Sequence, residues 1–519
     1  MKESLYTTSS LAMVRSASRF EGRVAIVDRH GAHPYGDLLG ASARVADALL
    51  GERPDLLEEP VAFMVQPGVD YASVLWGIWR AGGIAVPLCQ EHPGPELEHM
   101  IRDSGARRVV CDALFGETLG TAVEATGARL LPTEEAKRGD AARRRRLPDV
   151  EPFRRALILY TSGSTGRPKG VVSTHGSLTA QIETLVEAWG WTAEDRILHV
   201  LPLHHTHGIV NALLCALWSG ATCEMLPRFD PAIVWERLSS GEVSVFMAVP
   251  TIYVKLIAGW EDTRASERAT LSRGARDLRL MVSGSAALPT HAFEKWLEIT
   301  GHELLERYGM TEIGMAISNP LDGERRPGYV GVPLPGVSVR LVDEEGGRIT
   351  EEGEPGRIQV RGPGLFLEYW KRLEETRAAY QDAWFDTGDE AAVEGGYYRI
   401  LGRTSVDIIK TGGYKVSALE IENVLRGHPA ISDCAVVGVP DPEWGERVCV
   451  AVVPAAADER EPGELLEELK AWTEERLASY KVPRDLRPVV ELPRNAMGKV
   501  TKPEVQQMFV SKGRADADG

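Results

Sequence analysis

The chain has 519 residues, 43% hydrophobic and 26% charged, with a formal net charge of −16. That length exceeds what one hydrophobic core supports, so at least two domains are expected, and the acidic balance argues against nucleic acid as the main partner. No run approaches the ~18 uninterrupted apolar residues of a membrane span, and six scattered cysteines without a CxxC pair read as small core residues in a reducing compartment.

The opening stretch "MKESLYTTSSLAMVRSAS" lacks the apolar centre of a secretory signal. Glu3 and a single early arginine also make it a poor import peptide, so the expected setting is cytoplasmic, or the mitochondrial matrix for a trimmed form. Short apolar runs then alternate with amphipathic stretches. "RVAIVD" (23–28), "VAFMVQ" (61–66), "GIAVPL" (83–88), "RVVCDA" (108–113), "ALILYTS" (156–162), "VSVFMAVP" (243–250) and "LRLMVSGSA" (278–286) predict buried strands. "LLGASARVADALLGE" (38–52), "ELEHMIRDSG" (96–105) and "HAFEKWLEITG" (291–301) predict helices. The alternation predicts an α/β fold of layered parallel sheets with helices on both faces. The basic run Arg143 to Arg146 reads as a solvated loop.

After about residue 328 the texture changes to short alternating strands with Gly-rich turns, as in "GRIQVRGPG" and "AAVEGGYYRILGR", which predicts a β-rich subdomain. From "SALEIENVLRGHP" onward helix and strand alternate again in a compact α+β unit. The Gly-rich connection near 401–413 divides the chain into a large domain, 1–402, and a small one, 403–510, followed by a polar tail, 511–519.

"LILYTSGSTGRPKG" (157–170) runs a buried strand into a loop of Gly, Ser and Thr that ends in Pro-Lys-Gly. Glycines let backbone N–H groups crowd an anion, the hydroxyls of Thr161, Ser162, Ser164 and Thr165 add donors, and Lys169 adds charge. The pattern is not a Walker A loop, because Gly170 follows the lysine.

This stretch resembles the signature loop of the acyl-adenylate-forming enzymes, a superfamily of acyl-CoA synthetases, firefly luciferases and adenylation domains of peptide synthetases. Further motifs follow in family order: "LPLHHTHG" (201–208), "VSGSAALP" (282–289), "ERYGMTE" (306–312), "WFDTGD" (384–389), "LGRTSVDIIKTGGYKV" (401–416) and "PRNAMGKV" (493–500). The resemblance implies a two-step reaction in which a carboxylate attacks the α-phosphorus of ATP and a thiol, coenzyme A, then displaces AMP. It implies that Thr161, Ser162, Gly163, Ser164, Thr165, Gly166 and Lys169 cradle the β- and γ-phosphates. Ser285, Ala286 and Ala287 with Tyr308 and Gly309 would form the adenine slot, and Asp389 with Arg403 would hold the ribose. Thr311 would touch phosphate and Glu312 would bind Mg²⁺.

Lys499 matches the lysine that bridges ATP and the attacking carboxylate in this family. It lies on the small domain, so it acts only when that domain closes about a hinge among 405–407. After rotation Gly412, Gly413, Tyr414 and Lys415 would line the pantetheine tunnel, with Trp444 and Gly445 from "GVPDPEWGERV" beside it. Read without the family, Asp389 and Glu312 are equally loop caps and Lys499 a solvated lysine.

His204, His205 and His207 invite a metal reading, but no acidic or cysteine partner has ligand spacing nearby. The resemblance puts His205 and Thr206 against the acyl carboxylate and leaves His204 and His207 to packing. It also puts Arg307 at the floor of the acyl pocket. An unpaired buried cation costs several kcal/mol, roughly, so either the substrate brings a second carboxylate or Arg307 pairs with Glu303 or Glu306. Ser283 would add a hydrogen bond, and Met310 with Thr206 would leave room for a short diacid. A narrower resemblance, to malonyl-CoA synthetases of the acyl-CoA synthetase family member 3 type, implies malonate and methylmalonate as substrates. Another short acid, or loading of a carrier protein, remains the alternative; a monomer or weak homodimer is expected.

Overall fold

The computed structural model describes residues 10–140, 147–161, 168–412, 414–442, 444–455, 462–494 and 499–510. The loop residues Ser162 to Gly166, the basic run Arg143 to Arg146, Gly413 and the tail 511–519 lie outside the described residues.

Among the described residues, two large sheets of nine and seven strands form the bulk of the chain. In the nine-stranded sheet Val24–Asp28, Thr222–Met225, Arg196–His199, Val245–Ala248, Leu280–Ser283 and Leu305–Met310 lie side by side and parallel. The seven-stranded sheet has a parallel group of Arg129–Pro132, Arg108–Cys111, Pro60–Met64, Ile84–Pro87 and Arg155–Thr161. Strands buried on both faces must be apolar throughout, which is why these segments read as continuous runs in the sequence. The expected parallel layers are present, with antiparallel strands added at their edges. Gly31–Pro34, Gly314–Ser318, Lys169–Thr174 and Glu368–Tyr369 all pair antiparallel. Short connections set that direction for Gly31–Pro34 and Gly314–Ser318, because only a long crossover returns a parallel strand.

The largest core lies between the two sheets and draws on both, together with the helices Tyr35–Leu50, Val69–Arg80 and His175–Ala188. Gly77 lets two of these helices touch: a Cβ there would stand 2.4 Å from Val45. Helices Gly94–Ser104 and Gly116–Thr126 cover the outer face of the seven-stranded sheet. Pro231–Leu238, Pro250–Asp262, Ala265–Arg276 and Thr290–Thr300 cover that of the nine-stranded sheet. A π-helical stretch, His207–Leu214, lies wholly buried between the sheets.

The β-rich part is an antiparallel set, Ser338–Val342, Gly356–Arg361, Trp384–Glu394 and Tyr397–Arg403, closed over a cluster containing Phe366, Phe385 and Ile358. The chain then turns through 404–407 into a separate five-stranded sheet with its own cores on both faces. Asp407 ties the turn down: it accepts from the Arg403 N–H at 3.0 Å and pairs with Lys502 at 2.7 Å. Among the described residues no helix is long and apolar enough to cross a membrane.

Candidate active site

Parallel strands present their carboxyl ends to a crevice, and ligands of open α/β sheets bind there. Leu280–Ser283 and Leu305–Met310 end at that crevice, and the turn after the first carries Gly284 and Ser285. Ser285 has φ 71°, a left-handed conformation that a serine adopts only where its surroundings require it. Ser285, Ala286 and Ala287 are exposed, as a wall open to a ligand must be.

Arg307 is 4% exposed, and its guanidinium lies flat on the Gly284 backbone. A Cβ at Gly284 would stand 2.5 Å from its Cζ, so only glycine fits there. Its Nη2 donates to Ser285 Oγ at 3.3 Å, its Nε has no hydrogen-bond partner, and no acid within ion-pair distance is found among the described residues. Burial pushes its pKa down to about 9, which still leaves it charged at neutral pH. Glu306, the alternative partner, lies on the opposite face of the strand, as successive strand residues must. There it accepts from the Gly328 N–H at 3.1 Å, and burial pushes its carboxyl up to about 8. Pairing of Arg307 with Glu306 is therefore excluded by the pleat.

Three more polar groups line this region without partners among the described residues. Ser283 Oγ is fully buried, His205 Nε2 is orphaned, and His207 uses Nδ1 on Ser285 Oγ at 3.3 Å while its Nε2 has none. Burial, with the charges of Lys499 and His92 nearby, pushes His205 down to about 4. The His204 ring lies tilted against that of His205, with centroids 4.1 Å apart. Thr206 is buried immediately before the π-helical stretch. His207 is buried, with Nδ1 on the Ser285 hydroxyl. Met310 packs against the cluster of Ile313 and Phe366.

The other end of the crevice is a polar lattice. Asp389 accepts from the Tyr308 hydroxyl at 2.6 Å and from Arg403 Nε at 3.2 Å. Gly309 passes so close to the neighbouring strand that a Cβ would stand 2.1 Å from Gly314 O. Glu312 is buried, desolvation raises its pKa, and one oxygen accepts from the Tyr369 hydroxyl at 3.0 Å. Thr311 precedes it, half-buried. Thr161 closes its strand, and Lys169, expected within the loop, instead begins the returning strand, where it ion-pairs with Glu375. Tyr369 and Glu375 carried no sequence pattern that would have marked them.

Lys499 comes from the small domain into this crevice. Its pKa is lowered by desolvation in the crevice and by the charges of Arg403 and Arg307, against the pull of Asp389. The remaining candidates on that domain engage one another and the β-rich part. Tyr414 stacks on Tyr480 at 4.2 Å, Lys415 pairs with Glu344 at 2.7 Å, and Arg484 covers Trp444 at 3.6 Å. Gly412, with φ 56°, donates its N–H to Trp444 O at 2.9 Å, and Gly445 follows in the same hairpin with φ 77°. Among the described residues no group of three His, Cys, Asp or Glu side chains is placed to hold a metal ion.

Two sheets closed by a β-rich part, a small domain delivering a lysine, and an Asp–Tyr–Arg lattice, together with the Gly/Ser/Thr sequence motif that follows Thr161, define a nucleotide-activating enzyme. The chain belongs to the AMP-binding enzyme family: residues 13–370 match the AMP-binding enzyme model and 420–499 the AMP-binding enzyme C-terminal domain. It is 47% identical to the human protein named malonate–CoA ligase ACSF3, mitochondrial, over 95% of this chain and 91% of that one. The ATP-bound crystal structure of MatB from Rhodopseudomonas palustris superposes with TM-score 0.87 at 32% identity, covering 97% of this chain and 99% of that one. The apo form of the same protein, with the same coverage and identity, gives 0.79.

Proposed function

We propose that the chain is an AMP-forming malonate–CoA ligase that activates malonate as its acyl-adenylate and passes the acyl group to coenzyme A, accepting methylmalonate as well. The observation that carries the substrate is Arg307, a buried guanidinium with no carboxylate partner among the described residues, facing an open wall. Malonate supplies what is missing: one carboxylate for the reaction and a second for the planar fork of Arg307. Ser285 already accepts from that fork, Ser283 and His207 would offer the second carboxylate further hydrogen bonds, and Thr206 and His205 would stand toward the reacting carboxylate.

Attack of an anion on a polyanion depends on charge neutralisation and alignment more than on a base. Lys499 neutralises the approach between the carboxylate and the α-phosphate. Asp389, relieved of the Tyr308 hydroxyl, accepts from the ribose hydroxyls, with Arg403 holding its other oxygen. Ser285 to Ala287, Tyr308 and Gly309 enclose the adenine, and Lys169 with the 161–166 loop meets the outer phosphates. Glu312 fits a Mg²⁺ ion bound chiefly through phosphates, because it offers one buried carboxylate and a nearby hydroxyl, Thr311, rather than a full protein cage. Such an ion would screen the pyrophosphate leaving group. The large domain would end at 402 and the small one, 403–510, would turn about 405–407. Gly412, Gly413, Tyr414, Lys415, Trp444 and Gly445 would then receive the pantetheine arm. The human relative's name favours a mitochondrial setting over the cytoplasm, and a monomer or weak homodimer is the expected state.

The deciding assay is CoA-dependent AMP release with acetate, propionate, malonate, methylmalonate, succinate and a medium-chain fatty acid. Selectivity for malonate over acetate is expected. Equal turnover of monoacids would leave the adenylate chemistry standing and remove the diacid assignment.

A further inference from the structure

The phosphate end of the crevice contains a carboxylate for which the reaction above has no use. Glu375, on the short helix Leu373–Ala378, ion-pairs with Lys169, and its other oxygen lies 3.5 Å from the Arg372 guanidinium. Arg372 also reaches Asp103 at 3.7 Å, whose second oxygen accepts from the Tyr160 hydroxyl at 2.8 Å. The Nε of Arg372 is buried with no hydrogen-bond partner among the described residues. The Lys169 ammonium lies 5.6 Å over the ring of Tyr369, the residue whose hydroxyl bonds Glu312. A single carboxylate thus sits between two cations, one side chain away from the expected metal-binding acid and at the mouth of the strand pair that bears the phosphate loop.

An ion pair that merely fastened a surface helix would not need both cations turned toward the same acid with a guanidinium nitrogen left bare. Carboxylate and phosphate oxygens compete for the same charged donors, and a phosphate offers three where a carboxylate offers two. We propose that Glu375 is a resident place-holder for the terminal phosphates of ATP: it fills a Lys169–Arg372 clamp that the triphosphate enters by displacing it. Arg372 thereby becomes a phosphate contact alongside Lys169. This rests on the adenylate-forming reading above. The consequence is one of sign. Removing the negative charge of Glu375 tightens the binding of nucleotides that carry outer phosphates, and leaves AMP, which ends at the α-phosphate, unaffected.

The test is equilibrium titration of the full chain with ATP and with AMP, together with the KM for pyrophosphate in malonate-dependent ATP–pyrophosphate exchange. Glu375→Gln is expected to lower the ATP Kd and the pyrophosphate KM about fivefold, the size of effect a half-exposed ion pair exerts. The AMP Kd should not move. Arg372→Gln should raise the ATP and pyrophosphate values without touching AMP. Glu374→Gln, whose acid is exposed and pairs with Arg377 among the described residues, serves as the neighbouring control. If Glu375→Gln binds ATP no better than wild type, or shifts AMP equally, the place-holder is wrong. Wild-type protein that exchanges pyrophosphate with no carboxylic acid would instead overturn the functional reading, and the ATP titration would still decide the clamp.

Discussion

Arg307 is kept buried at a cost, and the cost is visible in its surroundings. Gly284 gives up its side chain so that the guanidinium can lie on the backbone, Ser285 adopts a left-handed conformation beside it, and Nε is left without a partner. Breaking a buried ion pair by removing one member costs about 3–5 kcal/mol, which corresponds to roughly 10²-fold or more in a rate or affinity. Arg307→Ala is therefore expected to lower kcat/KM for malonate by at least that factor. Propionate, which has nothing to offer the fork, should lose little. Retention of malonate turnover would end the diacid argument. Arg307 was conspicuous in "LLERYGMTE" because the family motif fixed its place, but the sequence left it paired with either a substrate or an internal acid. The strand pleat removes Glu306 from that choice, and no acid lies within ion-pair distance of Arg307 among the described residues.

Leu305–Met310 is the element that makes that decision, and it also buries a second charge. Arg307 faces the crevice while Glu306 faces inward, among the backbone donors of Gly328 and Leu288. In the folded chain Glu306 holds its proton to about pH 8, whereas the unfolded chain releases it near the ordinary value of 4.5. Between those values the native state binds more protons, so stability falls as pH rises through that window. Glu306→Gln keeps one acceptor and a donor and cannot ionise. It should match wild type near pH 5 and exceed it at pH 9 by about 1–3 kcal/mol, seen as a Tm gap that opens with pH. A gap independent of pH would mean that Glu306 does not titrate in the fold. At this scale the sequence was readable where burial on both sides forces continuous apolar runs, as in Ile84–Pro87 and Leu280–Ser283. It was not readable at the π-helical stretch His207–Leu214, because a segment buried on every side, its polar His207 and Asn211 included, carries no periodicity to betray its pitch. The antiparallel edges were hidden too, since strand direction depends on the connection and not on the strand's own residues.

At the scale of the whole molecule, the motifs identify the residues but not the arrangement of the two domains. The structure holds the small domain over the crevice. Asn423 of the small domain accepts from the Thr290 N–H and donates to the Thr290 hydroxyl, both at 3.0 Å, at the start of the helix that follows the Ser285 turn. Lys415 meanwhile pairs with Glu344 of the β-rich part. In this pose Lys499 shares the field of Asp389, Arg403 and Arg307, whereas Tyr414 and Trp444 are occupied by Tyr480 and Arg484. On the proposed function, this pose would serve Lys499 in adenylation, and a second would free the face of Tyr414 and Trp444 for thioester formation. If so, the two half-reactions depend on different residues of the same small domain. Lys499→Ala should abolish malonate-dependent ATP–pyrophosphate exchange, because the cation between carboxylate and α-phosphate is gone. The same variant given malonyl-adenylate and coenzyme A should still form the thioester at close to the wild-type rate, since Lys499 is then turned away from the reacting carbonyl. Equal loss of both steps would place Lys499 in a single fixed site and remove the need for any rotation about 404–407.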